Sequence, residues 1–342
     1  MNILKLKIFH RIDEVPQNIS IIETMEGALR ELFFIRNPRL KKEMPEAKKP
    51  LAEFLRKNKD TVRGVWVYYP WLGKAAHCPE QDIFFEIKTA RNKNLITDKE
   101  QKNYRNFKIG IMGMSVGSNV IWPLVASGGP QFLRIADADI IEISNLNRML
   151  GSLAAVGENK AVFMAKKIYE MDPFMKVDCW TEYVSKNNIE KFISGLDLLV
   201  DEIDNLSLKF LSRELAKKQK MPVLMVTNVG SNVILDIERF DLEPKRPIFH
   251  GLLKALKIDE LSHIPYRDWV KIATKIVGPK YLSKRMRHSV KAIGKTIAAV
   301  PQISPTTLIA GSVATQAIIR LAAKEILKSG RYFFKIDSHF RA

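Results

Sequence analysis

From Asn106 onward, short apolar runs of strand length alternate with stretches of helical periodicity, and this alternation narrows the possible folds more than any other feature. Parallel strands need a crossover of a dozen or more residues, usually a helix, so such a chain builds a parallel sheet wound with helices. Lys108–Gly113 reads as a buried strand and Val116–Ser127 as the following helix, bent at Pro123. Phe132–Asp137, Val177–Val184, Leu196–Asp201, Pro222–Thr227 and Asn232–Phe240 read as further strands, with helices at Glu158–Met171 and Asn205–Lys218. A loop and an apolar helix at Pro301–Leu327 and a closing strand at Arg331–Asp337 complete the pattern. The expected class is α/β, a doubly wound sheet.

Residues 1–90 follow another pattern, that of a small α+β module ahead of a main domain at 91–342. A strand is expected at Ile3–Phe9 and a helix from about Ser20 to Phe34, where Ile22, Met25, Leu29, Leu32 and Phe33 share a face. Pro38–Pro50 reads as a loop, Leu51–Lys57 as a second helix, and Val62–Tyr69 and Asp82–Ile87 as strands.

Composition removes several function classes. With 46% hydrophobic and 27% charged residues the chain is neither disordered nor collagen-like. Two cysteines build neither a disulfide framework nor a four-thiolate zinc site, and they fit reduced thiols in the cytoplasm. Cys179, flanked by Val177 and Trp180, reads as core, and Cys78 beside His77 is the one candidate reactive thiol. Lys5, Lys7 and Arg11 interrupt the start where a secretory signal would be apolar. The uncharged stretch Thr296–Ile319 contains Pro301 and Pro305, so no membrane span is expected.

The net charge of +18 is unevenly spread. No acidic side chain stands between Asp268 and Glu325, while Lys271, Lys275, Lys280, Lys284, Arg285, Arg287, Lys291 and Lys295 crowd the first half of that interval. Such a field draws polyanions: nucleic acid, nucleotide phosphates or an acidic peptide. No helix-turn-helix, zinc finger or aromatic RNA-binding signature accompanies it, so no specific nucleic-acid partner is expected.

The first strand runs into Gly113-Met-Ser115-Val-Gly117, a glycine turn where backbone can approach a phosphate at a helix amino terminus. About twenty residues later, Asp137-Ala-Asp139 ends the second strand, where an acid commonly accepts from ribose hydroxyls. To this point a NAD-dependent oxidoreductase explains the residues equally well. Asn145-Leu-Asn147-Arg148, then Gly157-Glu-Asn-Lys160, and finally Asp201-Glu-Ile-Asp204-Asn205 tip the balance. An Arg and a Lys beside a nucleotide have no task in hydride transfer. They suit a triphosphate whose α-phosphate gains charge under attack. A carboxylate at a strand end, here Asp204, suits Mg²⁺.

At these residues the sequence resembles the ThiF/MoeB/HesA group, bacterial relatives of ubiquitin-activating enzymes. The resemblance covers roughly residues 90–342 and rests on Asp-x-Asp, Ser-Asn-Leu-x-Arg, Val-Gly-x-x-Lys and Asp-x-x-Asp-Asn in order, followed by the Gly311–Ala317 helix. It implies a Rossmann-like adenylation domain that uses ATP and Mg²⁺ to activate a carboxylate, and a homodimer. Gly113, Ser115 and Gly117 would line the nucleotide turn, with Asp137 and Asn205 among the nucleotide contacts, and Asp139 would hold the ribose. Asn145, Arg148 and Lys160 would contact phosphates, and Asp204 would coordinate Mg²⁺. The family's arginine ahead of the first strand, which reaches into a partner subunit, would be Arg91, with Lys93 and Arg105 the alternatives nearby.

Three departures stand out. The turn is shortened to Gly-x-Ser-x-Gly, the paired Cys-x-x-Cys zinc motifs are absent, and the 241–300 crossover has no cysteine. No structural zinc and no enzyme thioester are therefore expected, and a substrate nucleophile would capture the acyl adenylate directly. The N-terminal module is similar in architecture to the peptide clamps of microcin and pantocin maturation enzymes. The expected substrate is then an acidic, ribosomally made precursor peptide, bound along Ile3–Phe9 by β-augmentation. Activation of a ubiquitin-like sulfur carrier is the alternative.

Overall fold

The computed structural model describes residues 6–58, 61–253 and 265–339. Two compact units emerge: Met1–Gln101 with Tyr169–Phe174, and Lys102–Ile168 with Met175–Ala342.

The first unit is a four-stranded sheet with helices. Its elements are β1 (Lys7–Phe9), β2 (Ser20–Glu23), α1 (Met25–Arg36), α2 (Pro45–Asn58), β3 (Gly64–Tyr69), β4 (Lys74–Pro79) and α3 (Gln81–Thr89), and α4 (Asp98–Asn106) contains its last residues. The sheet order is β1-β3-β4-β2, antiparallel except for the parallel β2–β4 pair. Alternation along β3 buries Val65, Val67 and Tyr69, which pack with Cys78.

Three expectations for this unit are corrected. Ser20–Glu23 is a strand, paired residue for residue with Lys74–His77, and only from Met25 does the helical face carrying Leu29, Leu32 and Phe33 begin. Asp82–Ile87 lies in helix α3, because a short apolar run fits either period and β4 already occupies the sheet position beside β3. Much of the supposed loop Pro38–Pro50 is the start of α2, with Pro45 at its first position, where a missing N–H costs nothing. Of the expected strand Ile3–Phe9, Lys7–Phe9 is observed, and Ile3, Leu4 and Lys5 lie outside the described residues.

The second unit carries β5 (Ile109–Met112), α5 (Met114–Ala126), β6 (Phe132–Ala136), α6 (Lys160–Met171), β7 (Lys176–Trp180), α7 (Ile189–Ile193), β8 (Leu198–Asp201), α8 (Leu206–Lys218), β9 (Val223–Val229) and β10 (Asn232–Glu238). After these come α9 (Tyr266–Val277), α10 (Lys284–Ala292), α11 (Ser304–Ala322) and β11 (Gly330–Phe334). The seven strands are ordered β11-β10-β9-β8-β5-β6-β7. The run from β9 to β7 is parallel, and β10 and β11 extend it antiparallel. Strand order reverses between β5 and β8, the place where open α/β sheets hold ligands beyond their carboxyl ends. The α/β, Rossmann-like reading of the sequence is therefore correct. Every residue of β5 and β8 is buried, as strands covered on both faces must be.

Helix α11 packs closely on α5. Pro123 has no N–H to offer the Asn119 carbonyl, and at the crossing Gly311 meets that carbonyl where any Cβ would overlap it. Among the described residues no helix is long and apolar enough to cross a membrane. Beneath the switch point lies a buried ionic cluster. Arg213 pairs with Asp201 at the end of β8 and with Glu238 at 2.6 Å, and Lys209 stands 3.3 Å from Asp201. Arg213, Asp201 and Glu238 are at most 1% exposed. Burying these charges is costly, so each depends on its partners.

Candidate functional site

A cavity of about 510 Å³ opens at the carboxyl ends of β5, β6 and β8. Gly113, Ser115, Asp137, Asp139, Asn145, Arg148, Lys160, Asp204 and Asn205 line it. Gly117 does not: it sits inside α5, where a Cβ would lie 3.0 Å from Ile111, so it serves helix–strand packing. Arg91 belongs to the first compact unit, exposed in the turn Ala90–Asn92.

The turn depends on glycine at one position. Gly113 has φ +89°, and an added Cβ would stand 2.5 Å from the Glu202 carbonyl oxygen. Asp137 holds this turn from β6. Its Oδ2 accepts from the Met114 N–H at 2.7 Å and its Oδ1 from the Asp139 N–H at 2.9 Å. Burial pushes the Asp137 carboxyl above its usual range despite those bonds.

Asp139 is the more exposed of the two acids on the cavity wall. Burial alone would raise its pKa, but the Tyr183 hydroxyl donating at 2.8 Å and the Lys160 ammonium at 3.0 Å outweigh it and hold the carboxylate low. Lys160, only 7% exposed at the start of α6, is thus fixed by a paired acid rather than by solvent. The Asp-x-Asp pair divides its work, one acid for the backbone and one for the cavity.

Arg148 is positioned through its backbone and its side chain. Its carbonyl accepts from Asn119 Nδ2 of α5 at 2.9 Å and from Thr307 Oγ1 of α11 at 3.2 Å. Its guanidinium donates to Ser115 Oγ at 3.2 Å and to the Ser144 carbonyl at 2.9 Å. Asn145, 4% exposed, accepts from the Glu142 N–H at 3.1 Å and shapes the same turn. Asn205 caps α8, accepting from the Leu208 N–H at 3.0 Å.

Two cavity residues escaped the sequence reading. Tyr183 lies beyond β7, and nothing in its local pattern marks a partner of Asp139 in the loop after the neighbouring strand β6. Glu202, beside the expected Asp204, has its carboxyl pushed up to about 8 by burial and accepts from the Val226 N–H at 2.8 Å. Cys78 is an unsuitable nucleophile: burial raises its thiol to about 11, while neighbouring His77 stacks on Trp66 and pairs with Glu23 at 2.8 Å.

The model for the ThiF family matches residues 89–340. The chain belongs to that family. An uncharacterised protein of Mycobacterium tuberculosis is 35% identical to this ThiF-family chain over 266 residues, which are 78% of the chain and 37% of that protein. The tRNA threonylcarbamoyladenosine dehydratase of Bacillus subtilis is 26% identical over 156 residues, 45% of the chain and 60% of the relative. The chain thus spans less than two thirds of each. Among solved structures, Escherichia coli MccB with AMPCPP and MccA shares the fold. Its TM-score is 0.50 at 15% identity, over 86% of this chain and 77% of MccB.

Four exposed carboxylates stand on the cavity wall, Asp139, Glu142, Glu182 and Asp204, and Asp139 is already paired with Lys160. Among the described residues no group of three or more His, Cys, Asp and Glu side chains is arranged around a metal. Mg²⁺ dehydrates reluctantly and needs few protein carboxylates, and Asp204, just beyond the carboxyl end of β8, would be one that holds it.

Proposed function

We propose that this ThiF-family chain adenylates a carboxylate on an acidic peptide or small protein, with ATP as co-substrate. The observation that carries the reading is the meeting of Arg148 and Lys160 with the Gly113 turn in one cavity at the β5/β8 switch point. The solved complex of MccB with AMPCPP and MccA, on the same fold, supports it.

In this reading a carboxylate oxygen attacks the α-phosphorus of ATP, the bond to the β-phosphate breaks, and pyrophosphate leaves. Arg148 and Lys160 stabilise the negative charge that grows on the α-phosphate oxygens. Mg²⁺ held by Asp204 would supply Lewis-acid neutralisation of the phosphate charge. Asp139 accepts from the ribose while its other oxygen keeps Lys160 in place. Asp137 is engaged with backbone and holds the turn instead. A substrate nucleophile then takes the acyl group and AMP departs, with proximity supplying much of the acceleration.

The first unit would bind the peptide. Its β1 is an edge strand, suited to pairing with an extended chain, and a groove of about 960 Å³ of mixed charge, with Arg56 and Arg63 beside Glu23, Glu26 and Glu80, lies within the same unit. A homodimer, with Arg91 offered to the partner's triphosphate, and maturation of a ribosomally made acidic peptide complete the proposal.

Titration with MgATP and separately with NAD tests it, using Asp204→Ala as control. Micromolar MgATP binding weakened by Asp204→Ala, with none for NAD, is the expected result. Preference for NAD would refute adenylation.

A further inference from the structure

Next to the nucleotide cavity is a second chamber of about 210 Å³ in the same unit. Its walls are mainly apolar, with Met225 of β9, Trp269, Ala273 and Ile276 of α9, and Met286 and Val290 of α10, while Lys209, Thr227 and Thr274 add polar groups. The two spaces share Val116, Glu202, Ile203, Asp204 and Gln302, so a group seated in the chamber has its attached atoms at the edge of the nucleotide cavity. Protein interiors rarely leave such a volume unfilled. A dry aliphatic cavity of roughly 150 Å³ already holds a benzene ring.

The chamber lining carries an unsatisfied polar atom beside the shared residue Gln302. Asn228 Nδ2 donates to Gln302 Oε1 at 3.2 Å, but the buried Asn228 Oδ1 has no partner among the described residues. An unpaired buried acceptor is costly, and a peptide N–H entering there would satisfy it. The outer face of the chamber's α10 wall is cationic. Lys284, Arg285, Arg287 and Lys291 of α10 are exposed, while Met286 and Val290 of that helix face the chamber. The sequence between Asp268 and Glu325 contributes no carboxylate to this surface.

We infer that this chamber is a specificity pocket for a bulky apolar side chain next to the carboxylate that is activated, on a peptide whose preceding residues are acidic. The inference rests on the adenylation reading and adds the residue that reading leaves open. The apolar side chain fills the space between β9, α9 and α10. Asn228 Oδ1 accepts that residue's N–H, and α10 draws the acidic residues by charge complementarity.

The test compares fluorescently labelled pentapeptides of four acidic residues ending in phenylalanine or in glycine, with free carboxyl termini, bound to the full chain in the presence of AMPCPP. The phenylalanine peptide is expected to bind about tenfold or more tightly, since burying one such side chain is worth that much. Ala273→Trp, which fills the chamber, should erase the difference while ATP affinity is unchanged. Val290→Phe, from the opposite wall, is the second variant should the first fail to fold. Equal affinities, no binding of either peptide, or a preference that survives both folded variants overturns the inference. Free N-acetylphenylalanine binding as tightly as the peptide also overturns it, because the acidic residues would then contribute nothing. ATP titration of the same samples separates the readings. ATP binding without a phenylalanine preference removes this inference alone, and absence of ATP binding removes both.

Discussion

Lys160 Nζ and Asp139 Oδ2 are 3.0 Å apart, joining the first turn of α6 to the loop after β6 across the floor of the cavity. One carboxylate thereby holds the cation and, through Oδ1, the Tyr183 hydroxyl. Asp139→Ala leaves the buried ammonium without its acid. ATP affinity should fall by about tenfold or more, the worth of a charge-assisted hydrogen bond, as read by calorimetric titration. Unchanged affinity would assign the ribose contact to another residue.

Arg148 is anchored by its own carbonyl as well as its side chain, so removing the guanidinium leaves the loop tied to α5 and α11. Arg148→Ala should lower AMP formation by about a hundredfold or more with little change in ATP affinity. Single-turnover measurements with acidic peptides read both quantities, and a loss confined to affinity would argue against transition-state stabilisation.

Glu202 titrates at about 8, well above an ordinary carboxyl, because burial disfavours its charge. The folded state therefore binds the proton more tightly than the unfolded chain, and stability falls as pH rises from the unfolded value toward 8. Glu202→Gln keeps an acceptor for the Val226 N–H and has nothing to ionise. Its melting temperature should exceed wild type by about 3 °C or more at pH 9 and converge with it in mild acid. Parallel melting curves across that range would show the carboxyl to be ordinary.

The Asp201–Arg213–Glu238 cluster predicts a stability defect without a binding role. Arg213→Ala leaves two buried carboxylates without their shared partner, for a loss of about 3–5 kcal/mol in urea unfolding. A loss under about 1 kcal/mol, typical of exposed pairs, would mean that water reaches the cluster.

Gly113→Ala meets both a positive φ and the Glu202 carbonyl. It should destabilise the fold by about 1–3 kcal/mol and weaken ATP binding through the displaced turn, by melting and titration on one sample. ATP affinity equal to wild type would free the turn from any nucleotide role.

The doubly wound sheet was legible because strands covered on both faces are near-continuous apolar runs, and Ile109–Met112 and the Leu198, Leu199, Val200 run stand out as such. Candidate site residues were legible for a related reason. Strand ends deliver their next residues to one edge, so Gly113, Asp137 and Asp204 could be read from strand position alone. The smaller unit resisted reading: β4, Lys-Ala-Ala-His-Cys-Pro, has weak strand propensity and owes its place to pairing with β3 and β2. The helical spacing through Ile22 was overridden by the same sheet, which leaves Ile21 and Ile22 each 44% exposed.

By itself, then, the sequence determined the alternation of strands and helices, the switch-point edge, and which residues arrive there, since these follow from local periodicity and right-handed connection. Only the tertiary structure decided that Asp137 serves the backbone while Asp139 pairs with Lys160 and Tyr183. It alone placed Gly117 in packing, buried Asp201 with Arg213, and set an apolar chamber beside the cavity. Those outcomes depend on contacts between residues far apart in the chain, and their energies come from burial and pairing that no local pattern records.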